Sequence, residues 1–277
     1  MTDVSADAVA QLVAWGLERR EARWLVEDFL PGGDPAARRA LEGAARRRLA
    51  GEPLQYIIGH WPFRHLDLDV DPRVLIPRPE TEQLVEVALD ELARATTSAP
   101  MVLDVGCGSG AIGLSLLDEL RTRGVAATLV ALDESPDALE VARANARKHR
   151  LLNVSFVESS WFSSLDGSLR GHFDLVVANP PYIGEGEFAD LDPVLTYEPR
   201  GALVSPDAEG VAGLDDAATI VGAAWSWLRP GGSLVMEHGE GQRHALLALV
   251  ARHRYVDARD DDDLSGRPRV LVARRPR

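Results

Sequence analysis

The sequence is poor in cysteine, in lysine and in positive charge. A single cysteine, Cys107, stands among 277 residues. That excludes a disulfide framework and a zinc site built from several thiolates, and no metal ion is expected. No apolar run approaches the roughly 18 residues that a membrane-crossing helix needs. The N-terminus, Met1-Thr2-Asp3-Val4-Ser5-Ala6-Asp7, has neither a basic start nor a greasy stretch, so no secretory signal is expected. A cytoplasmic protein with no membrane partner is the expectation. Lys148 is the one lysine among 30 basic residues, which is read as a coding bias toward arginine. The 43 acidic residues outnumber the basic ones and leave a net charge of −13. That argues against a scanning nucleic-acid binder, whose affinity rests on Lys and Arg at phosphates. Direct nucleic-acid binding is therefore not expected, although a local basic patch stays open. What is present, 45% apolar residues against 26% charged, suffices to bury a sizeable core.

The N-terminal fifth reads as short amphipathic helices. Val9, Leu12, Val13 and Leu17 are spaced for one face of a helix over 5–17. A second helix covers 21–30 with Trp24, Leu25 and Phe29 inward. Pro31-Gly32-Gly33 breaks the chain, and Asp34 and Pro35 suit the N-cap and first position of a third helix running to about Leu49. Acids and bases balance here, so the negative charge belongs to the rest. Residues 56–79, punctuated by glycine and proline, read as a β-hairpin linker with an alternating run over 63–70. Domain limits of 1–55, 56–79 and 80–277 follow.

Beyond a helix over 80–95, strands and helices alternate. Strands are expected at 101–105, 128–132, 154–157, 173–178, 233–237 and 269–273. Helices are expected after the first strand to about Arg121, then at 135–149, 215–228 and 243–252. Such alternation implies an α/β, Rossmann-like, doubly wound parallel sheet with helices on both faces and ligands outside the carboxyl ends of the strands. The acidic run 260–263 reads as a solvated loop.

Two segments carry chemistry. Leu103-Asp104-Val105-Gly106-Cys107-Gly108-Ser109-Gly110 joins a strand to a helix. Glycines there allow positive φ and close approach of a ligand, and the helix start offers free N–H groups. Gly108, Gly110 and Gly113 form G-x-G-x-x-G, and Asp133 lies 20 residues beyond Gly113. This fits a dinucleotide fingerprint, and equally S-adenosylmethionine (SAM) with Asp133 on the ribose hydroxyls. Asp104 favours SAM, because a carboxylate there could orient the turn and attract a cationic methionine end. Cys107 has no partner base nearby in sequence, so a catalytic thiol is not expected.

The second segment, Asn179-Pro180-Pro181-Tyr182, ends the fourth strand. Two prolines stiffen the backbone and donate no N–H. The Asn179 side-chain oxygen and the Pro180 carbonyl are then acceptors matched to the two donors of a planar NH₂ group. Tyr182 can stack on a flat target. An amide nitrogen is a poor nucleophile; two acceptors that orient it toward a methyl donor supply what the reaction needs. A dehydrogenase gives no reason for this tetrapeptide, so it favours SAM.

The chain resembles the HemK/PrmC family of protein-(glutamine-N5) methyltransferases over nearly its whole length. The matching motifs are Pro53-Leu-Gln-Tyr56-Ile-Ile-Gly59, Val74-Leu-Ile-Pro77-Arg78-Pro79-Glu80-Thr81-Glu82, the glycine turn, Asn179-Pro-Pro-Tyr182-Ile183, Tyr197-Glu198-Pro199 and Glu237-His-Gly239. Asn-Pro-Pro-Tyr alone is shared with adenine-N6 DNA methyltransferases. The resemblance implies that Gly106, Cys107, Gly108, Ser109, Gly110, Asp133, Trp161 and Asn179 line a SAM site, Trp161 beside the adenine. Asn179, Pro180, Pro181 and Tyr182 would hold the target glutamine, and 77–81 would close over the cofactor. The implied substrate is the glutamine of the Gly-Gly-Gln loop in class I peptide chain release factors. A ribosomal-protein glutamine, a nucleic-acid amine and a non-catalytic SAM-binding adaptor are the alternatives. One departure concerns Ser160-Trp161-Phe162, where the family often has an acid before Trp-Phe; Ser160 or Glu158 would then contact the adenine. The segment 207–214 also departs from a more compact family loop. His238 reads as structural. Arg78 suits either a ligand carboxylate or an ion pair. Arg46-Arg47-Arg48 reads as a solvated helix end, and Trp15, Trp24 and Trp61 as core or hairpin packing. A monomer is expected.

Overall fold

The computed structural model describes residues 3–30, 35–95 and 97–277. The first unit holds α1 (Asp3–Ala14), α2 (Arg19–Phe29), α3 (Pro35–Leu49) and a short α4 (Leu54–Ile58). Leu12, Leu25, Val26, Leu41, Ala45 and Ile57 meet in its core. α1 stops three residues short of the expected end because Gly16 turns the chain at φ 109°, and Leu17 still folds back into the core. The Pro-Gly-Gly break and the Asp34 cap lie outside the described residues; Pro35 does open α3. Trp24 meets Trp61 edge-on at 5.3 Å, whereas Trp15 is exposed rather than packed. The arginine run is not simply solvated, since Arg48 pairs with Glu21 at 2.9 Å and Arg47 with Glu52.

The alternating run splits into β1 (His60–Phe63) and β2 (Leu66–Asp69), an antiparallel hairpin. Its turn falls at Arg64, which takes φ 52°. The hairpin is no free linker: Phe63, Leu66 and Leu68 bury in the same cluster as Leu84 and Ala88 of α5 (Pro79–Arg94). α5 begins with a proline, and Glu80 and Glu82 sit in its first turn, where the helix dipole favours negative charge.

The sheet then builds through β3 (Met101–Val105), α6 (Ala111–Thr122), β4 (Thr128–Asp133), α7 (Pro136–Lys148), β5 (Val154–Glu158) and β6 (Phe173–Ala178). A short parallel pair, β7 (Ile183–Gly184) and β8 (Val204–Ser205), follows. The chain closes with α8 (Asp215–Trp227), β9 (Leu228–Glu237), α9 (Arg243–Arg252), β10 (Val256–Asp262) and β11 (Pro268–Arg274). The seven-stranded order is β10-β11-β9-β6-β3-β4-β5. Alternate residues of β6 serve opposite layers: Leu175 and Val177 face α5 and α6, while Val176 and Ala178 face α8 and α9. Burial on both faces explains why such strands read as continuous apolar runs.

The expected all-parallel sheet fails at one edge. β11 runs antiparallel to β9, and β10 antiparallel to β11. A short return from β10 permits only that direction, since a parallel crossover needs a dozen or more residues. β10 itself includes most of the acidic run expected to be a loop. Its Asp260 side chain is only 2% exposed and contacts His238 at 2.7 Å and Arg243 at 2.9 Å. Asp263 accepts from the N–H groups of Ser265 and Arg267 in the hairpin turn.

Candidate active site

Strand order reverses at β3, whose neighbours β4 and β6 leave it in opposite directions. A crevice opens there, outside the carboxyl ends of the parallel strands. It holds a cavity of about 430 Å³, within the range of small-ligand sites. Gly106, Cys107, Gly108 and Ser109 line it from the β3 turn, Asp133 from the end of β4, and Trp161 from the segment after β5. Asn179, Pro180 and Pro181 line it from the end of β6. The expected cofactor turn and proline corner are thus brought to one cavity.

The turn is held by backbone donors. Gly106 and Cys107 donate to the Leu132 carbonyl at 2.9 and 2.8 Å. The Asp133 carboxylate accepts the Gly108 N–H at 2.8 Å and the Ser135 N–H at 2.9 Å. Its pKa is raised, chiefly by burial, against these hydrogen bonds. Gly110 is not part of the cavity wall. It takes φ 84° at the start of α6, and a Cβ there would lie 2.7 Å from Leu114. Gly113 is likewise a packing glycine, since a Cβ would lie 2.7 Å from Asp104 and 2.8 Å from Leu129. Asp104 lies fully buried beneath the turn, and its Oδ2 accepts the Gly113 N–H at 2.9 Å. Its hydrogen bond reaches the first turn of α6 rather than the glycine turn, and it does not line the cavity. Desolvation pushes its carboxyl up to about 7. Burial, with Asp104 and Asp133 adding to it, also raises the Cys107 thiol, so this cysteine is a poor nucleophile.

The wall beyond β5 differs in part from expectation. Trp161 takes φ 48°, and a Cβ on Gly106 would lie 3.6 Å from its ring. Ser159 and Ser160 line the cavity, whereas Glu158 is exposed and does not. The carboxylate on this side comes from Asp216 of α8, which lines the cavity near the Trp161 side chain. Nothing in the sequence marked Asp216 beyond a helix start. It reaches Trp161 only through tertiary packing. Burial raises its pKa.

At the corner, the Asn179 Nδ2 group donates to Thr81 Oγ1 at 3.3 Å. Thr81 in turn donates to Glu237 Oε2 at 2.7 Å. Thr81 lies in the segment expected to close over the cofactor, yet this pairing was not foreseen. Tyr182 is not in the cavity wall. Its ring sits by the Arg269 guanidinium, 5.8 Å from the centroid, and its carbonyl accepts from Gln242 Nε2 at 3.3 Å. The same amide donates to the Ala212 and Gly213 carbonyls. A Cβ on Gly213 would lie 2.3 Å from the Tyr182 oxygen. The segment 207–214 therefore buttresses the proline corner.

A strap closes the cavity. Val74, Leu75, Pro77 and Arg78 line it, and Glu198 binds the strap. Glu198 accepts the Ile76 N–H at 2.9 Å and pairs with Arg78, which is thus both an ion-pair partner and part of the cavity wall. His238 is fully buried against Asp260, consistent with a structural role.

Residues 97–256 match a family model described as a methyltransferase domain. A release factor glutamine methyltransferase of Aliivibrio fischeri is 40% identical over 226 residues, covering 82% of this chain and 75% of that one. One of Burkholderia pseudomallei is 41% identical over 250 residues, covering 88% and 83%. Among solved structures, the 16S rRNA N2 G1207 methyltransferase of T. thermophilus, in complex with AdoMet and guanosine, shares the fold. Its TM-score is 0.55 at 19% identity, over 78% of this chain and 49% of that one. With the cavity at the sheet's switch point and the proline corner facing it, the chain belongs to the release factor glutamine methyltransferase family.

Proposed function

We propose that this protein methylates the side-chain amide nitrogen of the glutamine in the Gly-Gly-Gln loop of class I peptide chain release factors. SAM, when bound, supplies a methyl group on an electrophilic sulfonium. The residues fit that cofactor. Asp133 has acceptor capacity left for ribose hydroxyls, since each oxygen has two lone-pair sites and each takes one backbone N–H. Trp161 offers a flat apolar surface beside the turn, with the Asp216 carboxylate nearby. The turn of Gly106, Cys107, Gly108 and Ser109 lets the polar tail pass close to backbone.

The observation that carries the reading is the orientation of Asn179. Its NH₂ end is engaged by Thr81, which leaves Oδ1 as an acceptor. With the Pro180 carbonyl it would hold both hydrogens of the target carboxamide. Two acceptors favour the electron-rich form of that nitrogen and fix its direction of attack. No strong base is required when the proton leaves after methyl transfer. Tyr182 then acts by bracing the corner rather than by stacking on the substrate. Residues 1–55 would dock the release factor. No helix among the described residues is long and apolar enough to cross a membrane, and action in the cytoplasm is inferred with the substrate.

The test is to incubate the purified protein with methyl-labelled SAM and a class I release factor, then sequence the labelled peptide by mass spectrometry. Label on the Gly-Gly-Gln glutamine is expected. Label absent from it, or appearing only on a ribosomal protein or nucleic acid, would overturn the assignment.

A further inference from the structure

We propose that Thr81 and Glu237 are positioning residues that fix which end of the Asn179 carboxamide faces the cavity. This rests on the amide-methylation reading above, but its structural half does not.

A carboxamide has two ends of nearly equal shape, one donating and one accepting. A rigid backbone does not choose between them. Here the choice is made by a chain of hydrogen bonds with a direction. Glu237, at the carboxyl end of β9, is 1% exposed, and Thr81, in the first turn of α5, is 4% exposed. Burial raises the pKa of Glu237, opposed by the Thr81 hydrogen bond and by the nearby Arg269 and His238; in its ionised form the carboxylate only accepts. Thr81 therefore directs its one hydroxyl hydrogen at Glu237 Oε2, over 2.7 Å. The Thr81 oxygen then has only lone pairs to offer Asn179. The NH₂ end meets it at 3.3 Å, and Oδ1 is turned away as an acceptor. The flipped amide would set oxygen against oxygen at Thr81 and aim two donors at a substrate that is itself a donor.

The three residues lie far apart in sequence, 98 residues separating Asn179 from Thr81 and 156 separating Glu237 from Thr81. The fold brings the start of one helix and the ends of two neighbouring strands together. A buried carboxylate is unfavourable unless its hydrogen bonding is satisfied. Orienting the reactive amide gives a reason for having one here.

Three variants test this: Thr81→Val, which keeps the shape and removes the hydroxyl, Thr81→Ser, which restores it, and Glu237→Gln. The Glu237→Gln amide can donate to Thr81 and turn its hydrogen toward Asn179. On release factor, Thr81→Val and Glu237→Gln are expected to lower kcat by roughly 10- to 100-fold, as misplacement of a reacting group does. KM for the release factor and SAM affinity by calorimetry should stay within about twofold. Thr81→Ser should recover most of kcat. In the free 15N-labelled protein, the Asn179 NH₂ pair is identified by its loss in Asn179→Ala. One of its protons should exchange faster in Thr81→Val and regain protection in Thr81→Ser. Wild-type kcat in both Thr81→Val and Glu237→Gln, or a loss confined to KM, overturns the proposal. So does an Asn179 signal that Thr81→Val leaves unmoved, and this holds whatever the substrate proves to be. Should Thr81→Val fail to fold, Glu237→Gln carries the same comparison. A wild type that leaves the release-factor glutamine unlabelled instead overturns the substrate reading, and the exchange measurement still decides the relay.

Discussion

Glu198 holds Ile76 across 122 residues of chain, accepting its backbone N–H at 2.9 Å while pairing with Arg78. The carboxylate is buried, and its two oxygens divide between a strap donor and a strap cation. The cavity wall from Val74 to Arg78 is therefore tied down by Glu198 at Ile76 and Arg78, and by the Tyr56 hydroxyl, which donates to the Val74 carbonyl at 2.6 Å. Glu198→Ala loosens the strap and leaves a buried N–H unpaired. A charge-assisted hydrogen bond is worth about 1.5–3 kcal/mol. SAM dissociation, followed by stopped-flow fluorescence, should accelerate about tenfold or more in this variant. An unchanged dissociation rate would show that the strap does not retain the cofactor.

Asp133 ties two turns together, the glycine turn after β3 and the turn after β4 that opens α7. Its carboxylate fixes Gly108 and Ser135 and presents its remaining lone pairs to the cavity. Asp133→Ala removes the acceptors for ribose and loosens the Gly108 N–H together. Two lost charge-assisted contacts amount to about 3 kcal/mol, or roughly 100-fold in affinity. Calorimetry with SAM measures this, and equal affinity in wild type and variant would remove Asp133 from the cofactor site.

Much of this architecture was legible in sequence because it follows from local patterns. Residues 101–105 and 173–178 are buried on both faces and read as short apolar runs. The topology then placed Gly106 and Asn179 at one switch point. β10 was not legible, because Asp260, Asp261 and Asp262 replace apolar alternation with charge. Their place in the sheet is explained by Arg243, Arg259 and His238, which pair with them. Missing β10 also hid the antiparallel direction of β11. Asp216 could not be found, since its contact with Trp161 depends on how α8 packs over the sheet. Tyr182 sat in the right motif, but its ring turns to Arg269, an orientation that residue order does not encode.

Asn179 has one partner for its NH₂ end and an oxygen free for substrate. Asn179→Ala should leave SAM affinity near normal, because Asp133, Trp161 and the glycine turn are untouched. Turnover should fall by about 100-fold, corresponding to about 3 kcal/mol for a preorganised polar contact to the transition state. Single-turnover labelling of the release factor separates the two effects. Normal turnover would remove Asn179 from the chemistry, and a proportional loss of SAM affinity would recast it as a cofactor residue.

Asp104 makes stability depend on pH in an unusual direction for an aspartate. Desolvation raises its pKa to about 7 in the folded protein from 3.8, opposed by the Gly113 N–H and reinforced by Asp133. Between those values the folded state holds a proton that the unfolded state has lost, so this group's contribution falls as pH rises. The loss is complete once pH passes the folded value. A difference of about three units corresponds to about 4 kcal/mol at most. Asp104→Asn mimics the neutral carboxyl, and its Oδ1 can still accept the Gly113 N–H. The cofactor-free variant should therefore melt above wild type at pH 8, and the gap should close toward pH 5. Thermal melts across that range decide the matter. A variant less stable than wild type at pH 8 would mean that the Asp104 carboxylate is stabilised in the folded state by interactions stronger than its desolvation.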